Sequence, residues 1–223
     1  SGVSLRPVKP THFPDTRVSQ YFRIHPENPQ ARLIRQAADI LRDGGVIVYP
    51  TDTAYAIGCR VADKQALDRI IRIRRLDDKH LFTLLCRDLS DIATYAKVDN
   101  SQFRLLKAHT PGAYTFILLG TTEVPRRLMH EKRKTIGIRV PANPICQALL
   151  ADIGEPMITA TLLLPGEEFA RTDPEEIRDA LGNQVDVVID GGYGSMDETT
   201  VVSLVNGAPE VVRAGAGPVD DFA

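Results

Sequence analysis

The chain has 223 residues, with 27 basic and 29 acidic side chains, a formal net charge of -2, 43% hydrophobic and 25% charged content. That length suits one domain with its own core, and that composition excludes a disordered tail, a coiled coil and a fold that needs disulfide staples. No run approaches the ~20 apolar residues of a bilayer span, so a soluble, cytoplasmic protein with no membrane partner is expected.

Residues 1–17 contain three prolines and three basic residues but no apolar h-region, which excludes a secretory signal. Residues 1–20 are expected to form a flexible leader and residues 21–223 a single domain. After the leader, Asn28 is placed to cap a helix with Pro29 at its first position, and Leu33, Ile34, Ala37, Ile40 and Leu41 recur at helical spacing until Gly44-Gly45. The apolar run 46–49 then predicts a strand buried on both faces, ended by Pro50. Asp63 opens a helix carrying Leu67, Ile70 and Ile71; residues 82–86 read as a buried strand; Asp88 and Asn100 begin two further helices; residues 114–119 form another strand.

Further along, residues 136–140 predict a strand and Asn143-Pro144 a helix start, followed by a strand at 157–162. Asp173-Pro174 with Glu176 marks a capped helix, and 185–189 and 200–205 are strands. Asn206-Gly207 turns the chain into residues 210–213. Helices alternating with apolar strands predict an α/β fold, a mixed sheet covered by helices with an antiparallel hairpin near the C-terminus.

The near-neutral total conceals two basic windows. Residues 69–80 carry five basic side chains against two acidic ones, and residues 126–139 carry six against one. Brought together by folding, they would attract an anion such as a nucleotide or an RNA backbone; left apart, they are two solvated faces. Neither a Gly-x-x-x-x-Gly-Lys-[Ser/Thr] loop nor a Gly-x-Gly-x-x-Gly turn occurs, so a nucleotide would be held by other means. The cysteines Cys59, Cys86 and Cys146 lack Cys-x-x-Cys spacing and suit buried thiols in a reducing compartment. No histidine sits at i, i+4 to another or beside a cysteine, so no metal site is expected.

Residues 49–59 leave a buried strand and crowd Thr51, Asp52, Thr53 and Tyr55 into one loop. Such a loop either presents ligand groups at the strand end or uses its hydroxyls to satisfy its own backbone. Pro111-Gly112 turns the chain ahead of Thr115, and Thr199-Thr200 precede another strand; both are also ordinary β chemistry. Arg139 interrupts an apolar strand, where a buried guanidinium needs an anionic partner, either a ligand phosphate or an internal carboxylate. Arg213 stands at a strand end with the same two readings.

Taken together, Tyr-Pro-Thr-Asp-Thr-x-Tyr at 49–55, Pro-Gly-x-Tyr-Thr-Phe at 111–116, Ile-Gly-Ile-Arg-Val-Pro-x-Asn-Pro at 136–144, Thr-Thr-Val-Val at 199–202 and Val-Arg-x-Gly at 212–215 resemble the YrdC/YciO family, its YciO branch most closely. The resemblance runs from about residue 23 to residue 217. It implies a YrdC-like twisted sheet with a concave basic surface. It also implies a nucleotidyltransferase of the threonylcarbamoyl-AMP synthase type, joining L-threonine, bicarbonate and ATP, with Mg²⁺ arriving on the triphosphate, in service of tRNA modification.

By that resemblance Thr51, Tyr55 and Thr115 line the threonine pocket, Arg74, Arg139, Thr161, Thr199 and Arg213 face the nucleotide, and Arg74, Thr51 and Thr115 carry the chemistry. Two departures stand against it. The synthases' Lys-x-Arg aligns with Arg74-Arg75-Leu76, and their Ser-x-Asn with Thr161-Leu162-Leu163, which implies a weakened synthase. The alternative is a non-catalytic protein that binds tRNA or double-stranded RNA on the basic surface through Arg126, Arg127, Lys132, Arg133 and Lys134.

Overall fold

The structure, a computed structural model, describes residues 18–77 and 80–222. Most of the expected leader, and Lys79 of the first basic window, lie outside the described residues. The first element is a strand with no counterpart among the sequence expectations, β1 (Gln20–Arg23). Its short, half-exposed sequence carries no run of buried residues, and it becomes a strand by pairing parallel to a partner some 165 positions later.

Helix α1 (Ala31–Arg42) starts later than the Asn28-Pro29 signal predicts, with Gln30 as an N-cap that makes no side-chain capping bond. The backbone N–H of Asn28 instead donates to His25 Nδ1, so Asn28 belongs to the preceding turn. Strand β2 (Ile47–Tyr49) follows the Gly44 turn, whose φ of 85° suits glycine. The loop expected over 49–59 is half strand: β3 (Ala56–Arg60) returns antiparallel to β2. Its apolar run was masked by the hydroxyl-rich turn before it.

Helix α2 (Lys64–Arg74) is capped by Asp63, whose carboxylate accepts from Ala66 N–H. Then come β4 (Thr83–Leu85), α3 (Leu89–Tyr95) capped by Asp88, the two-residue β5 (Ala96–Lys97) and α4 (Asn100–His109). Asp99 and Gln102 form a reciprocal capping box around the start of α4. Strands β6 (Tyr114–Gly120) and β7 (Thr135–Arg139) form an antiparallel pair, and α5 (Pro144–Ile153) starts with Asn143 as cap and Pro144 at the first position. The chain ends with β8 (Met157–Thr161), α6 (Pro174–Leu181) capped by Asp173, β9 (Val187–Asp190), β10 (Thr200–Ser203) and β11 (Glu210–Arg213).

The strands form one mixed sheet in the order β1-β9-β2-β3-β8-β4-β7-β6-β10-β11, with β5 added beside β6. Mixing is pervasive: β9, β2 and β1 are parallel neighbours, as are β4 with β7 and β6 with β10, and the remaining contacts are antiparallel.

Period-two alternation decides where a site can form. Val48, Ile57, Leu84, Phe116, Ile138, Ile158 and Val188 face one core, which also takes Leu67 and Ile70 of α2, Leu106 of α4 and Ile177 of α6. Ile47, Tyr49, Met157, Val187 and Ile189 face the other way, into a smaller core closed by Ile34, Ala37 and Leu41 of α1 and by Ile145, Leu149 and Leu150 of α5. Two helices cannot cover a sheet this wide. On the α1/α5 side, the strands from β3 to β11 therefore keep an open face.

Candidate functional site

That open face is the floor of a cleft of about 680 Å³, within the usual range for small-molecule sites. Seven consecutive strands contribute to it: Ala56 from β3, Thr159 and Thr161 from β8, Thr83 from β4, Arg139 from β7, Thr115 from β6, Val201 from β10 and Arg213 from β11. The middle of the floor needs Gly137, because a Cβ there would stand 2.7 Å from Thr83 Oγ1 and 3.2 Å from Thr115 Cγ2. Gly215 lets the chain after β11 close onto β10, since a Cβ there would stand 2.4 Å from the Glu198 carbonyl oxygen.

Arg139 is the most buried of the arginines that line the cleft. It is 6% exposed, and one of its terminal nitrogens donates to Thr53 Oγ1 at 3.1 Å. Its Nε is buried and has no hydrogen-bond partner. Burial depresses its pKa, with Cys146 and Asp52 pulling the other way. A buried cation with an unused donor at a cleft floor is incomplete without an acceptor.

Two more guanidiniums frame the cleft. Arg74, half-buried at the end of α2, donates through Nε to the Leu163 carbonyl at 2.8 Å, and burial lowers its pKa. Arg213 donates to the Thr199 carbonyl at 2.9 and 3.1 Å and to Thr199 Oγ1 at 3.1 Å, with Glu198 3.5 Å from its Nε. Thr199 Oγ1 in turn lies 2.8 Å from Thr115 Oγ1. Glu168, Asp197 and Glu198 place carboxylates on the rim.

Six of the sequence-predicted residues thus meet in one place: Arg74, Thr115, Arg139, Thr161, Thr199 and Arg213. Two others do not line the cleft. Thr51 Oγ1 donates to the Ala54 carbonyl at 2.6 Å and accepts from Thr53 N–H at 3.1 Å, so its hydroxyl is used by its own turn. The Tyr55 ring is fully buried; its hydroxyl donates to the Gly192 carbonyl at 2.6 Å and accepts from Gly191 N–H at 3.1 Å. Tyr55 is a post for the 191–199 loop.

The two basic windows meet only in part: Arg74 of the first and Arg139 of the second line the cleft, and the run at 126–134 does not. Arg126, Arg127, Lys132, Arg133 and Lys134 connect the far ends of β6 and β7, where Leu119 pairs with Thr135, whereas the cleft lies at the Thr115 and Arg139 ends. They are exposed, and Arg127 is ion-paired with Asp68 of α2. The positive charge of the hollow comes from three arginines of different strands and helices. Leu76 packs against the larger core and does not line the cleft, whereas Leu163 does.

The 49–59 motif does not reveal that Thr53 is the hydroxyl that holds Arg139, and the sequence gives no sign of the rim residues Phe169 and Met196. Thr53 stood within a quoted motif; the rim residues lie on irregular loops without periodicity to mark them. No helix among the described residues is long and apolar enough to cross a membrane.

A family model covering Sua5, YciO and YrdC, described as telomere recombination, matches residues 39–215. The chain belongs to this Sua5/YciO/YrdC family. It is 62% identical over 205 residues to the uncharacterized protein YciO of Escherichia coli K12, across 92% of this chain and all of that one. The crystal structure of E. coli YciO superposes with a TM-score of 0.89 at 61% identity, covering 92% of this chain and 100% of that chain. More distant is a threonylcarbamoyl-AMP synthase of Vibrio vulnificus, 28% identical over 165 residues, which are 72% of this chain and 87% of that one.

The fold extends further still. P. abyssi Sua5, solved in complex with L-threonine, matches with a TM-score of 0.84 at 23% identity over 91% of this chain and 59% of that chain. The Sua5/YciO/YrdC fold therefore accounts for the mixed sheet and its open face.

Proposed function

We propose that the cleft binds ATP and an amino acid and catalyses adenylate formation of the threonylcarbamoyl-AMP synthase type. One observation carries this reading: the buried Arg139 Nε without a partner, at the floor of a cleft framed by Arg74 and Arg213. A phosphate oxygen supplies the missing acceptor, and a guanidinium is suited to it geometrically. The distant synthase relative and the threonine-bound Sua5 support the same chemistry.

In the proposed reaction the amino group of the amino acid combines with bicarbonate, releasing water and leaving a carbamate. A carbamate oxygen then attacks the α-phosphorus and pyrophosphate departs. Negative charge grows on the phosphoryl oxygens, so the assistance required is cationic and positional. Arg139 and Arg213 lie where they can take that charge, and Thr115 and Thr199 are fixed hydroxyls between them. Mg²⁺ enters on the triphosphate.

Calorimetric titration with ATP, paired with pyrophosphate release in the presence of L-threonine and bicarbonate, tests the reading. Wild-type protein should bind ATP, and Arg139→Met should weaken binding by at least about tenfold, the loss of one charge-assisted contact. Wild-type affinity retained by Arg139→Met, or no ATP binding at all, would exclude it.

A further inference from the structure

Strands β2 and β3 are antiparallel neighbours, and the turn that joins them is buried: Thr51 is 8% exposed and Thr53 5%. Away from water, each polar group of such a turn needs a partner inside the protein. Neighbouring elements hold the turn from three sides. Cys146 Sγ of α5 donates to the Pro50 carbonyl at 3.1 Å, Ala142 N–H beyond β7 donates to Asp52 Oδ2 at 2.7 Å, and Ala54 N–H donates to the Asp197 carbonyl at 3.1 Å.

Within the turn the hydroxyl hydrogens have one consistent arrangement. Thr51 Oγ1 spends its single hydrogen on the Ala54 carbonyl and accepts from Thr53 N–H. Across the 3.3 Å between the two hydroxyls, Thr53 is therefore the donor. The lone pairs of Thr53 Oγ1 are left to accept from the terminal nitrogen of Arg139 at 3.1 Å. The bonds run in one direction, from the guanidinium to Thr53, to Thr51 and to the Ala54 carbonyl. Among the described residues, Thr53 is the hydrogen-bond partner of the Arg139 side chain, yet it does not itself line the cleft.

A guanidinium is planar and carries its donors in a rigid fork, so fixing one terminal nitrogen also fixes where the other donors point. Resting on the reading that Arg139 takes a phosphate oxygen of ATP, we propose that Thr53 is a positioning residue, whose hydroxyl, oriented by Thr51, presets the Arg139 guanidinium before the nucleotide arrives. A donor already in place spares the ligand the cost of ordering it. Because the effect passes through Arg139, a Thr53 variant should lose no more ATP affinity than Arg139→Met does.

The test combines ATP calorimetry with the NMR signal of the Arg139 Nε–H in ligand-free protein, identified by its absence from Arg139→Met. Thr53→Val keeps the side-chain shape and removes the acceptor, and should weaken ATP binding about fivefold. Thr53→Ser restores a hydroxyl and should stay within about twofold of wild type. In the Arg139→Met background, Thr53→Val should change the affinity by less than about twofold, since the group it acts through is gone. The Nε–H signal should be single and sharp in the wild type and in Thr53→Ser, and broadened or split in Thr53→Val.

Either an unchanged signal or an unchanged ATP affinity in Thr53→Val overturns the proposal and leaves the adenylate-forming reading intact. An equal loss of affinity in the wild-type and Arg139→Met backgrounds overturns it as well, because the effect would then belong to the fold. If Thr53→Val does not fold, Thr53→Ala takes its place; failure of both, with Thr53→Ser folded, shows a hydroxyl required by the turn itself and also overturns it. No ATP binding by the wild type overturns the reading and the proposal together.

Discussion

Thr115 and Thr199, 84 positions apart in the chain, hold their hydroxyl oxygens 2.8 Å apart at the floor of the cleft. They sit at the entries of two parallel neighbours, β6 and β10, where Val201 is registered against Thr115. Arg213 then caps the pair by donating to both the carbonyl and the hydroxyl of Thr199. The contact links sheet pairing directly to the geometry of the site.

Breaking it should be felt in both. Thr115→Val and Thr199→Val keep side-chain shape and remove one partner each, so each should cost about 1 to 2 kcal/mol. Because they share one bond, the double variant should cost less than the sum, with a coupling of about 0.5 to 1 kcal/mol in urea unfolding. Additive losses would mean the hydroxyls act independently.

Arg139→Met should separate stability from binding. A buried cation with an unsatisfied donor is expensive to keep, and an apolar side chain of similar length removes that cost. Without ligand, the variant should melt at or above the wild-type temperature while ATP no longer raises it. A melting temperature lowered by 5 °C or more would show that Thr53 and the nearby carboxylate already compensate the charge.

Tyr55→Phe removes the anchor of the loop that carries Met196, Asp197 and Thr199. The expected loss is about 1 to 2 kcal/mol, from one donated and one accepted hydrogen bond. Amide exchange should accelerate across 191–199 and little elsewhere. If exchange rises uniformly instead, Tyr55 is a core residue with no particular hold on the loop.

At alkaline pH the buried thiols should destabilise the fold. Burial pushes the Cys59 and Cys146 thiols up to about 12, from about 9. Between those values the unfolded chain releases protons that the folded chain keeps, so stability is full below about pH 9 and falls as pH rises toward 12. The slope should be about 1.4 kcal/mol per pH unit for each titrating thiol. Cys59→Ala and Cys146→Ala variants should each flatten the urea-midpoint profile between pH 9 and 11; an unchanged profile would assign the loss to other groups.

Gly215→Ala brings a methyl group to 2.4 Å from the Glu198 carbonyl, against backbone that cannot yield cheaply. The strand end should move, costing about 1 to 3 kcal/mol and disturbing the Arg213 contacts to Thr199 together. A crystal structure or a nucleotide titration of the variant reads the second effect.

Local chemistry was sufficient wherever an element is specified by its own residues. Asp63, Asp88, Asn143 and Asp173 begin helices because each short side chain accepts from backbone N–H groups a few residues on, an interaction contained within one turn. The unbroken apolar run at β2 and the mostly apolar runs at β6 and β7 read as buried strands. The quoted motifs likewise led to the family, since they sit at strand entries and exits that the sheet later brings together.

Long-range pairing decided the rest. β1 and β3 exist because β9 and β8 lie beside them, and a half-exposed tetrapeptide carries no mark of a partner that distant. The basic run at 126–134 and the arginines of the cleft look alike in one dimension, but the β6–β7 hairpin sends them to opposite ends. Tyr55 and Thr51 share a motif with Thr53, yet only Thr53 reaches Arg139, because a turn sends successive side chains in different directions and the packing around it selects which one meets the ligand face.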